Sequence, residues 1–218
     1  MKEYIRKSKE RFSENSSLGR FVAYKKDPLP AEFDLDRVLS FIKKTIPEHF
    51  LIPIDSLYIG QFPELEQRDL DAMYKNGAIY LTNHQLSEED MIDDIIHELA
   101  HAAEETYGIF IYGDGRIERE FLAKREKLWQ ILSSEGYKIS HEAFLDPEYS
   151  LQLDEFFYKE VGYPKMTFLT MDLFASPYGA TSINEYFANG FENYFLREQN
   201  YLKKISPRLY ERIEELIF

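Results

Sequence analysis

The sequence predicts an α+β fold. Three observations carry that prediction. Runs rich in β-branched and aromatic residues, bounded by turn signals, fall only in the first half of the chain. Apolar residues recur at helical spacing through most of the remainder. No strand–helix–strand unit repeats, so an alternating parallel fold is not expected. The total anticipated is two or three strands and six or seven helices, without internal repeats or a low-complexity linker.

The elements follow in order. Residues 1–25 are charged and Ser-rich at their start and are expected to form a polar arm. Either Asp34 or Asp36 then caps a helix running to about Thr45, with Val38, Leu39, Phe41 and Ile42 as its apolar face and Pro47 beyond its end. Residues 54–61 (IDSLYIGQ) read as a strand and 64–74 as a short helix. Asn76-Gly77 is a turn signal, and Ala78 to Thr82 reads as the next strand. Ser87, with Asp90 three residues on, begins the best-defined helix, about 88–107, and Glu88, Glu89 and Asp90 place negative charge at the positive end of its dipole. Met91, Ile92, Ile95, Ile96, Leu99 and Ala103 form its apolar stripe, and Gly108 suits its stop. A second long helix covers about 116–134, with Ile117, Phe121, Leu128, Trp129 and Leu132 inward. Helices over 147–160 and 165–174 are separated at Gly162-Tyr163-Pro164, a further one spans about 183–196, and Pro207 opens the last, 207–217. One domain over 26–218 is expected, with an N-terminal lobe over about 26–108 and a C-terminal helical lobe over about 109–218.

Composition narrows the function. Of the 218 residues, 44% are hydrophobic and 16% aromatic, so a packed core is expected rather than disorder. The formal charge of −13 repels nucleic-acid phosphates and anionic lipid, which argues against both as partners and weakly favours cationic peptides. With no cysteine, disulfides, thiolate metal ligands and a Cys nucleophile are all ruled out. No apolar run reaches the ~18 residues of a membrane span, and Met1 to Gly19 has no signal-peptide core. The expectation is a cytoplasmic location by default, with export by a non-classical route left open.

His97-Glu98-Leu99-Ala100-His101 lies inside the best-defined helix. Residues four apart share one helix face, so two imidazoles there can reach one zinc ion at ~2.0–2.1 Å. Glu98, rotated by one residue, can reach the attacking water rather than the ion, the placement a general base needs. Chance alone would produce this pattern roughly 0.01 times in a chain of this composition, so it is read as a metal site and not as two surface histidines. His49, His84 and His141 stand in no ligand spacing and are expected to have ordinary surface roles.

A catalytic zinc needs a third protein ligand and an open position. The His-rich continuation of metzincins is absent, since positions 104 and 107 are Glu and Tyr. Glu104 lies seven residues from His97, a rise of ~10 Å, too far to share its ion. Glu104 and Asp94 are therefore expected either beside the ligands or as solvated acids, not among the ligands. On the 183–196 helix, Glu185, Asn189 and Glu192 share a stripe opposite Ile183, Tyr186, Phe187, Phe191, Tyr194 and Phe195. From spacing alone that stripe reads equally as a solvated face, and Glu185 equally as the partner of Ser182 in a capping box.

Tyr178-Gly179-x-Thr181 followed by Glu185-Tyr-Phe-Ala-x-x-Phe191 resembles the second motif of the anthrax lethal factor protease domain and the related Pro-Pro endopeptidases. These are gluzincins, zinc peptidases in which a downstream Glu completes HExxH. The resemblance implies a zincin-like metallopeptidase domain binding one Zn2+ through His97, His101 and Glu185. It makes Glu98 the base and Tyr178, seven residues before Glu185, the donor to the oxyanion. Where the family often has a carboxylate four residues after the ligand Glu, this chain has Asn189, whose amide oxygen is expected to orient a ligand imidazole. The interval from His101 to Glu185 is 84 residues (185 − 101), longer than in close relatives, so specificity is not carried over. The strand before the metal helix is expected either to line the cleft, with Tyr80, Leu81 and Thr82 pairing with an extended peptide substrate, or equally to be plain core sheet. Two other readings stand beside the peptidase: an inactive zincin fold used as a binding module, and a DNA-associated zinc protease or anti-restriction-type protein.

Overall fold

A computed structural model describes residues 15–18 and 21–218, with side chains from Val22 onward. It is α+β, with its strands in the N-terminal half. The chain divides into two compact units, Met1–Thr106 and Tyr107–Phe218.

Among the described residues of the first unit, five strands form one sheet: β1 (Asn15–Leu18), β2 (Phe21–Lys25), β3 (Ser56–Ile59), β4 (Ala72–Lys75) and β5 (Ala78–Leu81), in the order β1-β2-β3-β5-β4. The three inner strands are parallel, and β1 and β4 pair antiparallel on either side. Alternation explains the two faces. Leu57, Ile59, Ile79 and Leu81 are buried, while Tyr24, Tyr58 and Tyr80 stand in register on the other face, with successive ring centroids 5.3 Å apart. Helices α1 (Leu35–Thr45), α2 (Glu48–Leu51), α3 (Pro63–Arg68) and α4 (Glu88–Tyr112) complete this part, α4 continuing past Thr106 into the second unit.

Several expectations are corrected here. Within the supposed polar arm, residues 15–18 and 21–25 are strands, because β2 pairs with both β1 and β3 and buries Ala23. The rest of that arm, residues 1–14, 19 and 20, lies outside the described residues. The expected helix over 64–74 ends at Arg68, where Asp69 turns left-handed (φ 54°), and Ala72 to Lys75 form β4 instead. Asp34, not Asp36, caps α1 by accepting the Arg37 N–H at 3.1 Å, and Phe41 is exposed rather than part of the apolar face. α4 runs to Tyr112, past Gly108, and stops at Gly113-Asp114-Gly115, where Gly115 has φ +67°.

The second unit is helical: α5 (Arg116–Ser134), α6 (His141–Leu145), α7 (Leu151–Glu155) running into a π-helical turn (Phe156–Val161), α8 (Tyr163–Leu169), a 3-10 turn (Tyr178–Ala180), α9 (Ile183–Leu196), α10 (Gln199–Ile205) and α11 (Pro207–Ile217). α6 and α10, each one to two turns long, were not anticipated, and the helix expected over 147–160 starts at Leu151. Phe121, Phe174 and Tyr186 meet in the core, with ring centroids 5.4–6.2 Å apart in aromatic-pair geometry. Glu120 on α5 accepts the Arg208 and Leu209 N–H groups at 2.9 and 3.1 Å, satisfying donors that the first turn of α11 cannot pair internally. Among the described residues, no helix is long and apolar enough to cross a membrane.

The contact between α9 and α11 rests on Gly190. A methyl group there would stand 2.2 Å from Leu209 Cδ2 and 2.9 Å from Leu209 Cγ, and Leu209 is itself buried. Gly190→Ala is therefore expected to destabilise the protein by ~1–3 kcal/mol despite its better helix propensity, which alone would favour Ala by ~1 kcal/mol. Urea unfolding checks this; a midpoint equal to or above that of the wild type would contradict it.

Candidate metal centre

The mid-helix placement of His97, Glu98 and His101 follows from how α4 starts. The Ser87 hydroxyl accepts the Asp90 N–H at 3.0 Å and donates to the Asp90 carboxylate at 2.9 Å, and Glu88, Glu89 and Asp90 occupy the first turn. Met91, Ile95, Ile96, Leu99 and Ala103 are buried, which fixes the rotation of the helix. The two histidines then share a face, with ring centroids 5.0 Å apart and planes at 75°.

Each histidine is half-buried, as is Glu185 near the start of α9. One ligand atom from each of His97, His101 and Glu185 lies within 4.8 Å of the others. Four donors around a tetrahedral zinc at ~2.0–2.1 Å stand about 3.3–3.4 Å apart, the same order as the spacing of these three atoms. Two imidazoles and a carboxylate are also the donor chemistry of catalytic zinc sites, leaving a fourth position for water or substrate. The residues present therefore fit the ion.

Neighbouring groups prepare these side chains. His101 Nδ1 is 2.8 Å from Glu104 Oε2, a contact that would leave Nε2 to face an ion and would raise its basicity. Glu104 thus sits one turn beyond the histidine it touches. Asp94 is half-buried and accepts from Gln85 Nε2 at 3.1 Å. Its carboxyl is pushed up to about 7, first by burial, with the charges of Asp71 and Glu98 adding to the rise and the Gln85 hydrogen bond and His97 opposing it.

Glu98 is only 7% exposed, and its Oε2 accepts the backbone N–H of Tyr74 on β4. Sequence reasoning missed Tyr74 because 64–74 was read as helical. The Tyr74 hydroxyl in turn donates to Glu105 and accepts the Gly77 N–H at 3.1 Å. The expected pairing surface, Tyr80 to Thr82, is corrected. β5 is flanked by β3 and β4, Leu81 O accepts the Gly60 N–H at 3.0 Å, and the Thr82 N–H donates to Asp71 O at 2.8 Å. The strand ending the sheet on this side is β4.

In the second unit, the segment before α9 carries Tyr178. Its carbonyl accepts the Thr181 N–H at 2.9 Å and the Thr181 hydroxyl at 2.8 Å, closing the 3-10 turn. The Ser182 hydroxyl accepts the Glu185 N–H at 3.2 Å, so Glu185 occupies the first turn of α9. Burial raises the Tyr178 phenol well above its ordinary value, and the nearby Glu185 carboxylate raises it further. The phenol therefore stays protonated, a hydrogen-bond donor at neutral pH. Asn189, expected to steady a ligand imidazole, is buried, and its amide oxygen accepts the Ser176 hydroxyl. Gly179 packs beside it, where a Cβ would stand 3.4 Å from that of Asn189.

Arg125 was also missed. It is fully buried on α5 and donates to the carbonyls of Ala143, Ala180 and Thr181. Its signal was present: a cation four residues after Phe121 and three before Leu128, on the apolar stripe of the helix. The other histidines lie elsewhere, His49 against Phe50, His84 against Gln61, and His141 against Trp129 and Glu126.

The chain matches no protein-family model, no curated protein and no solved structure.

Proposed function

We propose that this chain is a zinc-dependent endopeptidase of the gluzincin type. The observation that carries the reading is the approach of His97, His101 and Glu185 ligand atoms to within 4.8 Å of one another, from positions 84 residues apart in the chain (185 − 101). A zinc ion held by these side chains supplies Lewis acidity toward a scissile carbonyl and lowers the pKa of water toward ~7. Glu98, adjacent to a ligand in sequence, accepts the proton of the attacking water and returns it to the leaving amine. Tyr178, with its phenol protonated, donates to the oxyanion that develops on the carbonyl. Glu104 holds the His101 ring through Nδ1. An extended peptide pairs with the edge of β4, the strand whose Tyr74 N–H is held by Glu98.

The test combines metal analysis with a mixed peptide library. Purified protein is expected to hold one zinc per chain by elemental analysis. It should cleave a subset of the library, and a chelator should stop cleavage until zinc is restored. Protein that takes up no zinc, or cleavage indifferent to the chelator, would overturn the reading.

A further inference from the structure

Arg125 is an unusual core residue. It is fully buried, between the rings of Phe121 and Phe144 at 5.2 and 5.1 Å. Its hydrogen-bond partners are three backbone carbonyls. Nη1 donates to Ala180 O at 2.9 Å and Thr181 O at 3.3 Å, and Nη2 to Ala143 O at 3.1 Å. Nε is buried with no partner. Burying a cation is costly; here the hydrogen-bond acceptors are all neutral carbonyls, the Asp146 charge and the two rings add attraction, and one donor is left over. An aliphatic side chain would fill the same space without that cost. What it could not do is hold two successive carbonyls at once with a rigid planar fork.

Those two carbonyls lie in the short segment between Tyr178 and Glu185. Ala180 and Thr181 are the last residues before Ser182, the cap of α9. Tyr178 stands two residues before Ala180, and Glu185 four residues after Thr181. The bonds form one chain through this segment: Arg125 to the Ala180 and Thr181 carbonyls, Thr181 to the Tyr178 carbonyl, and the Glu185 N–H to the Ser182 hydroxyl. A shift of the Ala180–Thr181 peptide would move the phenol and the carboxylate together. Lys124, the preceding residue, provides an internal contrast. It too is buried, but its Nζ donates to Leu173 O at 2.7 Å and Ser206 Oγ at 2.5 Å and stands 4.8 Å over the Tyr186 ring, so its hydrogen bonds do not hold the Ala180–Thr181 peptide.

We infer that Arg125 is a positioning residue that sets the Tyr178 phenol and the Glu185 carboxylate for a bound divalent cation. This rests on the zinc-peptidase reading. The experiment uses the full chain loaded with Co2+, whose visible absorption reports ligand geometry, and compares wild type, Arg125→Gln, Arg125→Lys and Lys124→Met. Arg125→Gln is expected to change the visible band and to weaken Zn2+ affinity about tenfold in chelator competition, the effect typical of groups that orient ligands. With zinc and a cleaved peptide, kcat should fall about tenfold while KM stays within about twofold. Lys124→Met should lose stability but keep the wild-type band and affinity, separating positioning from general destabilisation. If Arg125→Gln does not fold, Arg125→Lys carries the test: it keeps the charge but not the fork, and a shifted band at full metal loading is expected. A wild-type band and affinity in the folded Arg125 variants would overturn the inference and leave the metal site standing. Failure of the wild type to bind Co2+ or Zn2+ would overturn both.

Discussion

Glu98→Gln is expected to lower kcat/KM for peptide cleavage by about 10³-fold while leaving bound zinc at one per chain, since a positioned general base contributes ~10²–10⁴-fold. The substitution separates the role the structure shows for this side chain, holding the Tyr74 N–H, from the one proposed for it. Glu98 Oε2 accepts the Tyr74 N–H, and the carboxylate is almost wholly shielded. As a plain cap for the sheet-edge donor, it would be replaced without loss by Gln, whose amide oxygen accepts the same hydrogen bond. As a base it would not, because an amide takes up no proton near neutral pH. Glu98 is also outside the ligand group of His97, His101 and Glu185, so metal content should be untouched. Elemental analysis and initial rates on one cleaved peptide measure both quantities. Activity within about tenfold of the wild type would remove Glu98 as the base. Loss of zinc with activity would mean that Glu98 shapes the ligand set rather than the proton transfer.

The parts of this molecule legible in the sequence are those where several local signals agree. α4 has its cap, acidic first turn and apolar stripe; α5, α9 and α11 end at the positions their periodicity and flanking Gly, Ser and Pro residues indicate. Strands β3 and β5 are alternating runs beside turn signals. What was not legible has physical causes. β4 is an edge strand of four residues with no clear alternation, and it was absorbed into the helix before it. β2 is held by pairing with strands on both sides, a non-local fact, and its charged surroundings hid it. Gly108 failed to stop α4 because open space around it imposes nothing, and the helix continued at the modest expense of one interior Gly. At the site, His97, Glu98 and His101 were readable from helical spacing. Spacing left Glu185 open between ligand, capping partner and solvated face, and only the likeness to another family's motif favoured the first. Arg125 shows a different limit: a buried cation reads as a breach of pattern, and its reason lies in carbonyls 55 and 56 residues away.

Removing the Glu185 carboxylate should show which of those three roles it has. Glu185→Ala is expected to weaken zinc binding at least ~100-fold. Structural zinc sites with four protein ligands bind with ~10–16 kcal/mol, so one ligand of a set accounts for about 3 kcal/mol, or roughly two powers of ten. A capping role for the carboxylate would instead cost stability and leave zinc affinity unchanged. Ser182 accepts the backbone N–H of Glu185, which alanine keeps, so the start of α9 should survive and the metal-free variant should unfold within ~1 kcal/mol of the metal-free wild type. A solvated face predicts no change in either quantity. The joint outcome therefore discriminates: lost affinity with retained metal-free stability marks a ligand, lost stability with retained affinity marks a cap, and neither marks the bland face. Chelator competition and urea unfolding supply the two numbers. Because His97 and His101 stay one turn apart on α4, residual weak zinc binding through two imidazoles is expected in the variant, without the cleavage that a fully held ion supports.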